Sequence, residues 1–422
     1  MKSIAALLLL FISILPAFCQ DNKGSAVLEN SIVKVEQDVI RSLFSETVYF
    51  GPQADWTIDG TLDIWCQRIW IAPGAKIQGK GSIRIYDPSE SPYYNSLKKK
   101  PTIVDGNNGD FIKLLIEHHN SKGIILENID DPGYGIASPS ASEGAALNIG
   151  GELRLAVDGT DIQLNGYNIA FDKDASISQY SNRRKLVTHD SYGHVSKILT
   201  SGAQFLFPIA TPSHHYAPVM VSGTDKEATI YARMSDYFGS IVRHKDPQSG
   251  IDLNWQVYAS QPLNATLTLT HPMAANKGKY VDEKASIYQF TGLEDLNPLP
   301  TKRISEGIHQ SWAVPLATNN TDYTSWFTKS TVLPDALFIP NTFTPNGDGV
   351  NDRFVIQGLE DFDAVILTIF NRWGNSVYHH ERYDNRWDGS GLNVGTYYYV
   401  IETKKGTNSS IYKGWVLLIK EN

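Results

Sequence analysis

Phe338-Ile-Pro-Asn-Thr-Phe-Thr-Pro-Asn-Gly-Asp-Gly-Val-Asn-Asp352 is a run near the end of the chain that no helix can accommodate. Its prolines and glycines break helices, and its Asn and Asp side chains can hydrogen-bond their own backbone in tight turns. The apolar segments that follow are short and separated by turn residues, at 365–370, 395–401 and 414–419. We therefore predict an all-β fold for this part of the chain, with the last segment tied into a sheet.

The same run resembles the opening of the gliding-motility-associated C-terminal domain, a sorting domain of the type IX secretion system. The residues that carry this resemblance are Pro340, Asn341, Phe343, Thr344, Pro345, Asn346, Gly347, Asp348, Gly349, Asn351 and Asp352. Later blocks follow in the family's order, and they are Asn371, Arg372, Trp373 and Gly374, then Trp387 and Gly389, Gly395 and Tyr397, and 414–416. The resemblance implies an Ig-like β-sandwich at 337–422 that addresses the chain to the type IX machinery of the outer membrane. It also implies a location at the surface of a Gram-negative bacterium or in the medium.

The start of the chain has the pattern of a secretory signal peptide. Lys2 precedes an apolar run at 4–15, and small residues at Ala17 and Cys19 suit cleavage near Cys19. A lipoprotein interpretation is the alternative, and the bulky Phe18 beside the cysteine argues against it. No other run reaches the roughly 18 apolar residues of a membrane span. We predict a signal peptide at 1–19 and a mature chain without a transmembrane segment.

Composition excludes some partners. The chain has 37 basic and 45 acidic residues, so losing Lys2 with the signal peptide leaves 36 against 45, a net charge of about −9. Nucleic-acid binding needs a clustered positive surface, so we expect no nucleic-acid partner. Cys66 is then the only cysteine of the mature chain, which rules out an internal disulfide.

Residues 20–190 are predicted to form a β-solenoid-like region. Pairs of apolar residues such as Ile124/Leu126 recur between turn residues, and rungs of about 20–25 residues would stack Ile124, Leu147 and Ile169. The segment 120–129 is similar to a rung of the right-handed parallel β-helix. An irregular β-sandwich is the alternative. Near the start, the apolar spacing over 28–43 suits an amphipathic helix or a strand.

The middle of the chain is predicted to be an Ig-like β-sandwich at 191–317. Its seven candidate strands lie at 205–209, 218–221, 228–233, 253–258, 265–270, 287–290 and 311–314. The Thr-, Ser- and Asn-rich segment 318–336 is predicted to be a linker to the C-terminal domain.

One candidate metal site lies in the opening run. Asn346, Asp348, Asn351 and Asp352 offer hard oxygen atoms on a glycine-rich loop, which suits Ca²⁺. Their spacing is not that of an EF-hand, and an Asx-rich turn between strands is the favoured interpretation. Adjacent histidines, as in His118–His119, would face opposite sides of a strand and do not suggest a metal site.

The function of the remaining chain is left open between three classes. A non-catalytic adhesion or glycan-binding module is the leading hypothesis, because no catalytic motif occurs and aromatic residues that could stack on sugars are frequent. A polysaccharide lyase or hydrolase would need converging carboxylates, and a structural component of the gliding apparatus is the third class. The candidate aromatic residues are Trp56, Trp65, Trp70, Tyr86, Tyr93 and Tyr94, and the candidate carboxylates are Asp105, Asp110, Glu117, Glu127, Asp130 and Asp131. The alternative for the aromatic residues is packing in the core, and the alternative for the carboxylates is a solvated position at the turns between rungs.

Overall fold

The structure is a computed structural model, and it describes residues 26–90, 99–137, 143–236, 240–242, 247–331, 337–347, 349, 351–405 and 408–420. The predicted signal peptide at 1–19 and its cleavage near Cys19 lie outside these ranges. The described residues form β-strands and short 3-10 helices, without an α-helix, which confirms the all-β class. The 3-10 helices lie at Pro88–Glu90, Pro247–Ser249, Met273–Ala275, Asp282–Lys284, Tyr323–Ser325 and Leu359–Asp361.

A parallel β-solenoid forms the N-terminal part, as predicted. Its strands are β1 (Ala26–Glu29), β2 (Ile32–Val35), β3 (Ile40–Phe50), β4 (Asp55–Ile58), β5 (Thr61–Ile71), β6 (Lys76–Ile85), β7 (Thr102–Asp105), β8 (Lys113–His118), β9 (Ile124–Leu126), β10 (Leu147–Ile149), β11 (Glu152–Leu155), β12 (Ile162–Gln163), β13 (Ile169–Phe171), β14 (Ser176–Ser178) and β15 (Leu186–Val187). Ile40 lies opposite Thr61, and Thr61 lies opposite Ser82, so each of these turns takes 21 residues.

The solenoid is held together by apolar side chains that point inward at alternate positions. Ile124 and Leu126 are buried in β9, for example, while Ile125 between them is half-buried. Each such side chain contributes roughly 1.5–3 kcal/mol of transfer free energy. At one corner the backbones of successive turns touch, because a Cβ on Gly81 would lie 1.8 Å from the carbonyl oxygen of Gly60. Only glycine fits at position 81.

The predicted stacking of rungs is partly wrong. Leu147 does lie opposite Ile169, but Ile124 lies opposite Thr102 and Ile162. Ile124 and Leu147 lie on different sheets of one turn, since β9 is followed by β10 just as β12 is followed by β13. Residues 127–146 separate β9 from β10, so the spacing of the two strands resembled that of a full turn. In the region 28–43, whose spacing suited a helix or a strand, the structure has the strands β1, β2 and β3.

The middle part is a two-sheet antiparallel sandwich, in agreement with the predicted class. Its strands are β16 (Val195–Leu199), β17 (Phe205–Phe207), β19 (Val219–Ser222), β20 (Ala228–Asp236), β21 (Leu253–Ala259), β22 (Leu263–Thr270), β23 (Ala285–Phe290), β24 (Leu296–Pro298), β25 (Thr301–Ser305), β26 (Ile308–Leu316) and β27 (Trp326–Thr331). The short strand β18 (Ile209–Ala210) pairs in parallel with β15 and extends a solenoid sheet. One sheet has the order β10-β13-β16-β20-β21-β27-β23-β24, and the other has the order β17-β19-β22-β26-β25.

Solenoid and sandwich share one hydrophobic core. Strand β16 pairs in parallel with β13 and antiparallel with β20, so a solenoid sheet continues into the sandwich. The buried apolar residues run without interruption from Val35 to Phe327. The segment predicted to be a linker at 318–336 contains β27, whose six residues are all buried between β21 and β23. Residues 326–331 are therefore part of the sandwich, where Thr328, Lys329 and Ser330 donate to backbone carbonyl groups.

The C-terminal part has a separate core. Its strands are β28 (Thr342–Phe343), β29 (Ala364–Phe370), β30 (Ser376–His380), β31 (Gly395–Lys405) and β32 (Asn408–Leu418), in the order β28-β32-β31-β29-β30. The second layer over this sheet comes from irregular segments that contribute Phe354, Tyr383 and Trp387 to the core. The closing strand β32 pairs with both β31 and β28, so the predicted tie of the last residues into a sheet is confirmed.

Candidate functional site

The opening run of the C-terminal domain is a turn organised by one carboxylate. The two oxygen atoms of Asp352 accept the backbone N–H groups of Gly347 and Gly349, at 2.6 and 2.8 Å. These two hydrogen bonds lower the pKa of Asp352. Both glycines have positive φ, 82° and 84°, which explains their place in the motif.

This geometry bears on the predicted calcium site. Both oxygen atoms of Asp352 already satisfy backbone donors, which is the arrangement of the Asx-rich turn. Asn346 and Asn351 lie in the same turn, while Asp348 lies outside the described residues. In the part of the chain that the structure describes, no three His, Cys, Asp or Glu side chains come together as a metal site. A Ca²⁺ ion at this loop stays a prediction.

The second motif block forms the tip of the β29–β30 hairpin. Oδ1 of Asn371 accepts the N–H groups of Trp373 and Asn375 at 3.0 Å each, and Gly374 closes the turn with a φ of 82°. The two remaining motif residues project outward. The guanidinium of Arg372 lies 4.3 Å from the ring centre of Trp373, and Trp373 is 70 % exposed. A large exposed aromatic side chain in a stacked pair is typical of a recognition surface.

The later motif blocks serve the core. Trp387 is 5 % exposed and contacts the rings of Phe343 and Phe354, with centroids 5.0 and 5.6 Å away. Gly389 has a φ of 68°, and a Cβ there would lie 2.8 Å from Leu418. Most residues of the motif therefore form turns or pack in the core, and a few, such as Trp373, have exposed side chains.

The outer face of the sheet in this domain carries an aromatic row. Phe370, Tyr398 and Trp415 lie opposite one another across β29, β31 and β32. Tyr398 and Trp415 are each 49 % exposed. Together with Trp373 at the hairpin tip, these residues form what we call the aromatic face. The motif blocks include Tyr398 and Trp415 without assigning them to a surface, although alternation along β31 and β32 is the signal that would have placed them outward.

On the solenoid, the candidate carboxylate Glu117 belongs to a ladder of charges. Asp63, Arg84, Glu117 and Arg154 lie opposite one another on successive strands, with the signs alternating. Arg84 binds both oxygen atoms of Asp63 at 2.7 and 2.9 Å, and Arg154 lies 3.5 Å from Glu117. Such a ladder stabilises the stacking of turns and leaves Glu117 paired.

The other candidate carboxylates are dispersed. Asp105 is 1 % exposed and accepts the N–H groups of Asn107 and Ile129, and its burial raises its pKa. Asp131 accepts three consecutive backbone N–H groups in its own loop. The exposed members are Asp110, Glu127 and Asp130. The structure thus gives Asp105, Glu117 and Asp131 separate structural roles instead of one shared cleft.

The candidate sugar-stacking residues also separate into two groups. Trp56 and Trp70 are core residues, 0 % and 1 % exposed. Trp65 and Tyr86 lie on the outside, where their rings stack on each other with centroids 4.3 Å apart. Phe44 extends this stack at one end and His119 at the other. The inner ring faces of this aromatic ladder are therefore covered by neighbouring rings. Tyr93 and Tyr94 lie outside the described residues.

The lone cysteine of the solenoid is inert in this arrangement. Cys66 is fully buried, and its Sγ lies 3.3 Å from Oγ of Ser45. Burial raises the pKa of the thiol to about 11, which keeps it protonated at neutral pH. It stabilises the solenoid as a small apolar side chain.

Comparison with protein families supports the sorting function of the C-terminal domain. The model of the CHU_C type IX secretion signal domain matches residues 337–418. The resemblance predicted from the motif blocks is thereby confirmed, and the C-terminal part of this chain is a type IX secretion signal domain. Searches of curated proteins and of solved structures found no match for the chain. Across the described ranges, no helix is both long and apolar enough to cross a membrane.

Proposed function

We propose that this protein is a passenger of the type IX secretion system that acts outside the cell as a non-catalytic adhesion or glycan-binding module. The secretion signal domain at 337–418 carries the first half of this proposal. We further propose that a signal peptide at 1–19 takes the chain across the inner membrane and is removed near Cys19. The C-terminal domain then engages the outer-membrane machinery.

The separate core of the C-terminal domain supports its role as an address. Its buried residues, from Phe343 to Leu418, form their own cluster apart from the core of the passenger. A domain with its own core can keep its recognition surface whatever is attached to it. We propose that the aromatic face contacts the machinery, because it contains the exposed motif residue Trp373 and is apolar without serving the core.

The dispersed carboxylates support a binding function over catalysis. Glycoside hydrolysis needs two carboxyl groups on either side of one bond, at most about 10 Å apart. Asp105, Glu117 and Asp131 are each engaged by backbone donors or by arginine in separate places. A repetitive, rigid scaffold with polar outer faces is instead suited to presenting a binding surface.

Export is tested by expressing the full chain and a truncation ending at Pro334 in a type IX secretor. We expect the full chain at the surface or in the medium and the truncation in the periplasm. Equal export of both would refute the sorting role. A fusion of 333–422 behind a signal peptide and a reporter tests whether the domain suffices.

The passenger function is tested with the mature chain on a glycan array and in adhesion assays of a deletion strain. Binding or an adhesion defect with normal gliding supports the proposal. A gliding defect with normal adhesion would instead support a structural part in the gliding apparatus. Turnover of a polysaccharide by the purified chain would refute the non-catalytic assignment.

A further inference from the structure

A shallow trough lies where the solenoid joins the sandwich. Its floor and two of its walls are formed by one row of residues in register across five strands, on the outer side of the eight-stranded sheet. Going from β10 to β21, the row consists of Asn148, Ala170, Ser196, Tyr231 and Tyr258. The trough encloses about 600 Å³. Its residues come from the solenoid, from the sandwich and from the segment 318–320.

The shape of the trough follows from side-chain size. Neighbouring strands lie about 4.8 Å apart, so Ala170 and Ser196 span about two strand spacings with almost no side chain. Larger side chains rise on either side, with Asn148 on the solenoid side and Tyr231 on the sandwich side. A gap of this width accommodates the thickness of a sugar ring and leaves its edges against both walls.

The sandwich wall is a fixed aromatic cluster. The rings of Tyr231 and Tyr258 stack with centroids 4.6 Å apart and an interplanar angle of 11°. His194 meets Tyr231 edge-on at 4.8 Å, and its Nδ1 lies 3.5 Å from the hydroxyl of Tyr258. Tyr231 lies opposite Ser196 of β16 and lines the trough. An aromatic ring in this position offers a surface for the C–H groups of a sugar.

The solenoid wall presents amide groups in fixed orientations. Nδ2 of Asn148 donates to the carbonyl oxygen of Gly109 at 2.5 Å and to Oδ1 of Asn108 at 3.3 Å. Oδ1 of Asn168 accepts the backbone N–H of His194 at 3.1 Å. Because these side chains are already oriented, binding costs little conformational entropy. Both N–H groups of Asn148 are already donated, so its Oδ1 can accept from a sugar hydroxyl group, while Nδ2 of Asn168 can donate to one.

The trough is nearly free of formal charge. Among the described residues that line it there is no lysine or arginine, and the one acidic residue is the exposed Glu143. Burial, and secondarily Arg233, lowers the pKa of His194 to about 4, so the imidazole is neutral at physiological pH. Phosphate and sulfate ligands require cationic partners, which this surface does not supply.

We propose that this trough is a binding site for a neutral oligosaccharide, with a sugar ring packed against Tyr231 and its hydroxyl groups bound by Asn148 and neighbouring amides. The inference rests on the proposed glycan-binding function and gives it a location and a ligand class. It also moves the site from the first rungs, where the sequence placed it, to the junction with the sandwich.

The test uses the mature full-length chain and three variants on an array of neutral and anionic glycans, followed by calorimetry with the best ligand. Tyr231→Ala removes the aromatic wall, and Ala170→Phe fills the trough without touching the core. Tyr192→Ala is the matched control, since Tyr192 is a tyrosine 66 % exposed outside the trough. We expect each trough variant to weaken binding of a neutral glycan about tenfold or more, and the control to leave it within about twofold.

The outcomes separate the two proposals. If the wild-type chain binds a neutral glycan and both trough variants bind equally well, the location is wrong while glycan binding stands. If only anionic glycans bind, the ligand class is wrong. If the wild-type chain binds nothing on the array, the glycan-binding function itself fails. Unchanged unfolding midpoints of the variants show that any loss of binding is local.

Discussion

Acid should destabilise the passenger because a buried histidine is held neutral there. His271 is 3 % exposed, and its Nδ1 lies 3.0 Å from Nζ of the fully buried Lys329. Its Nε2 lies 2.8 Å from Oδ1 of Asn276. Because Oδ1 of Asn276 can only accept, Nε2 of His271 carries the proton of the neutral ring, and Nδ1 lies between Nζ of Lys329 and the carbonyl oxygen of Gly307 at 3.1 Å. A second proton on the ring would face the Lys329 amine.

The magnitude follows from the shift in pKa. Burial, and then the charge of Lys329, lowers the pKa of His271 from 6.5 to about 4. The unfolded chain therefore binds the proton first as pH falls, so the stabilisation is complete above pH 6.5 and is lost between pH 6.5 and 4. At pH 5 the loss is about 2 kcal/mol for this one side chain. Burial lowers the pKa of His309 to about 4 and of His118 to about 3, which adds to the effect.

The assay is urea unfolding of the mature chain at pH 7 and pH 5, followed by tryptophan fluorescence. We expect the wild-type chain to lose several kcal/mol of unfolding free energy between these values. His271→Gln keeps an acceptor for Lys329 but does not titrate, so its loss should be smaller by about 2 kcal/mol. A wild-type midpoint that is the same at both pH values would refute the reasoning. So would a His271→Gln loss as large as that of the wild type.

Three further predictions concern single side chains. Trp387→Ala should destabilise the C-terminal domain by about 3–5 kcal/mol and abolish export, because it empties the core. Trp373→Ala should reduce export while changing stability by less than about 0.5 kcal/mol, because its ring is exposed. Thermal unfolding measures the stability, and cell fractionation measures the export. Export of Trp373→Ala at the wild-type level would remove this residue from the recognition surface. Gly81→Ala should lower the unfolding midpoint in urea, because its Cβ would overlap the carbonyl group of Gly60. The matched control Gly278→Ala should leave the midpoint nearly unchanged, since its Cβ would meet only a side-chain atom of Gln248 at 3.4 Å. Equal midpoints for the two variants would contradict the close contact. The Cys66 thiol should react with a thiol reagent only in denaturant, and rapid labelling of the native chain would show that it is not buried.

Much of the architecture could be predicted from the sequence because it depends on local patterns. Paired apolar residues such as Ile169 and Phe171 do point inward, and the motif blocks do define a C-terminal domain. The stacking of Ile124 could not be predicted, since residues 127–146 give the step from β9 to β10 within one turn the length of a whole turn. The identity of β27 was hidden for another reason. Strand β27 is buried on both faces, so it has no alternation of apolar and polar residues. Its polar residues Thr328 and Lys329 made the stretch look like an exposed linker.

The candidate sites show a similar division. The motif identified Trp373 and Trp387 together, but only the fold separates the exposed ring from the buried one. The aromatic residues of the first rungs were reasonable sugar-binding candidates by composition, yet Trp56 lies in the core and Trp65 stacks on Tyr86. The trough depends on a row formed by five strands from distant parts of the chain. Such a row follows from register, which no single stretch of sequence contains.

The strand β16, shared by solenoid and sandwich, also decides how the passenger can be cut. A parallel solenoid ends in an open edge whose unpaired N–H and C=O groups invite another copy to add on. Here β20 pairs with β16 and covers that edge in one of the solenoid sheets, so the sandwich serves there as a terminal cap of the coil. A fragment that stops near residue 190 would lose this cap and should assemble end to end into filaments. The solenoid and the sandwich are therefore one folding unit, and a cut between them exposes strand edges that are paired in the intact chain.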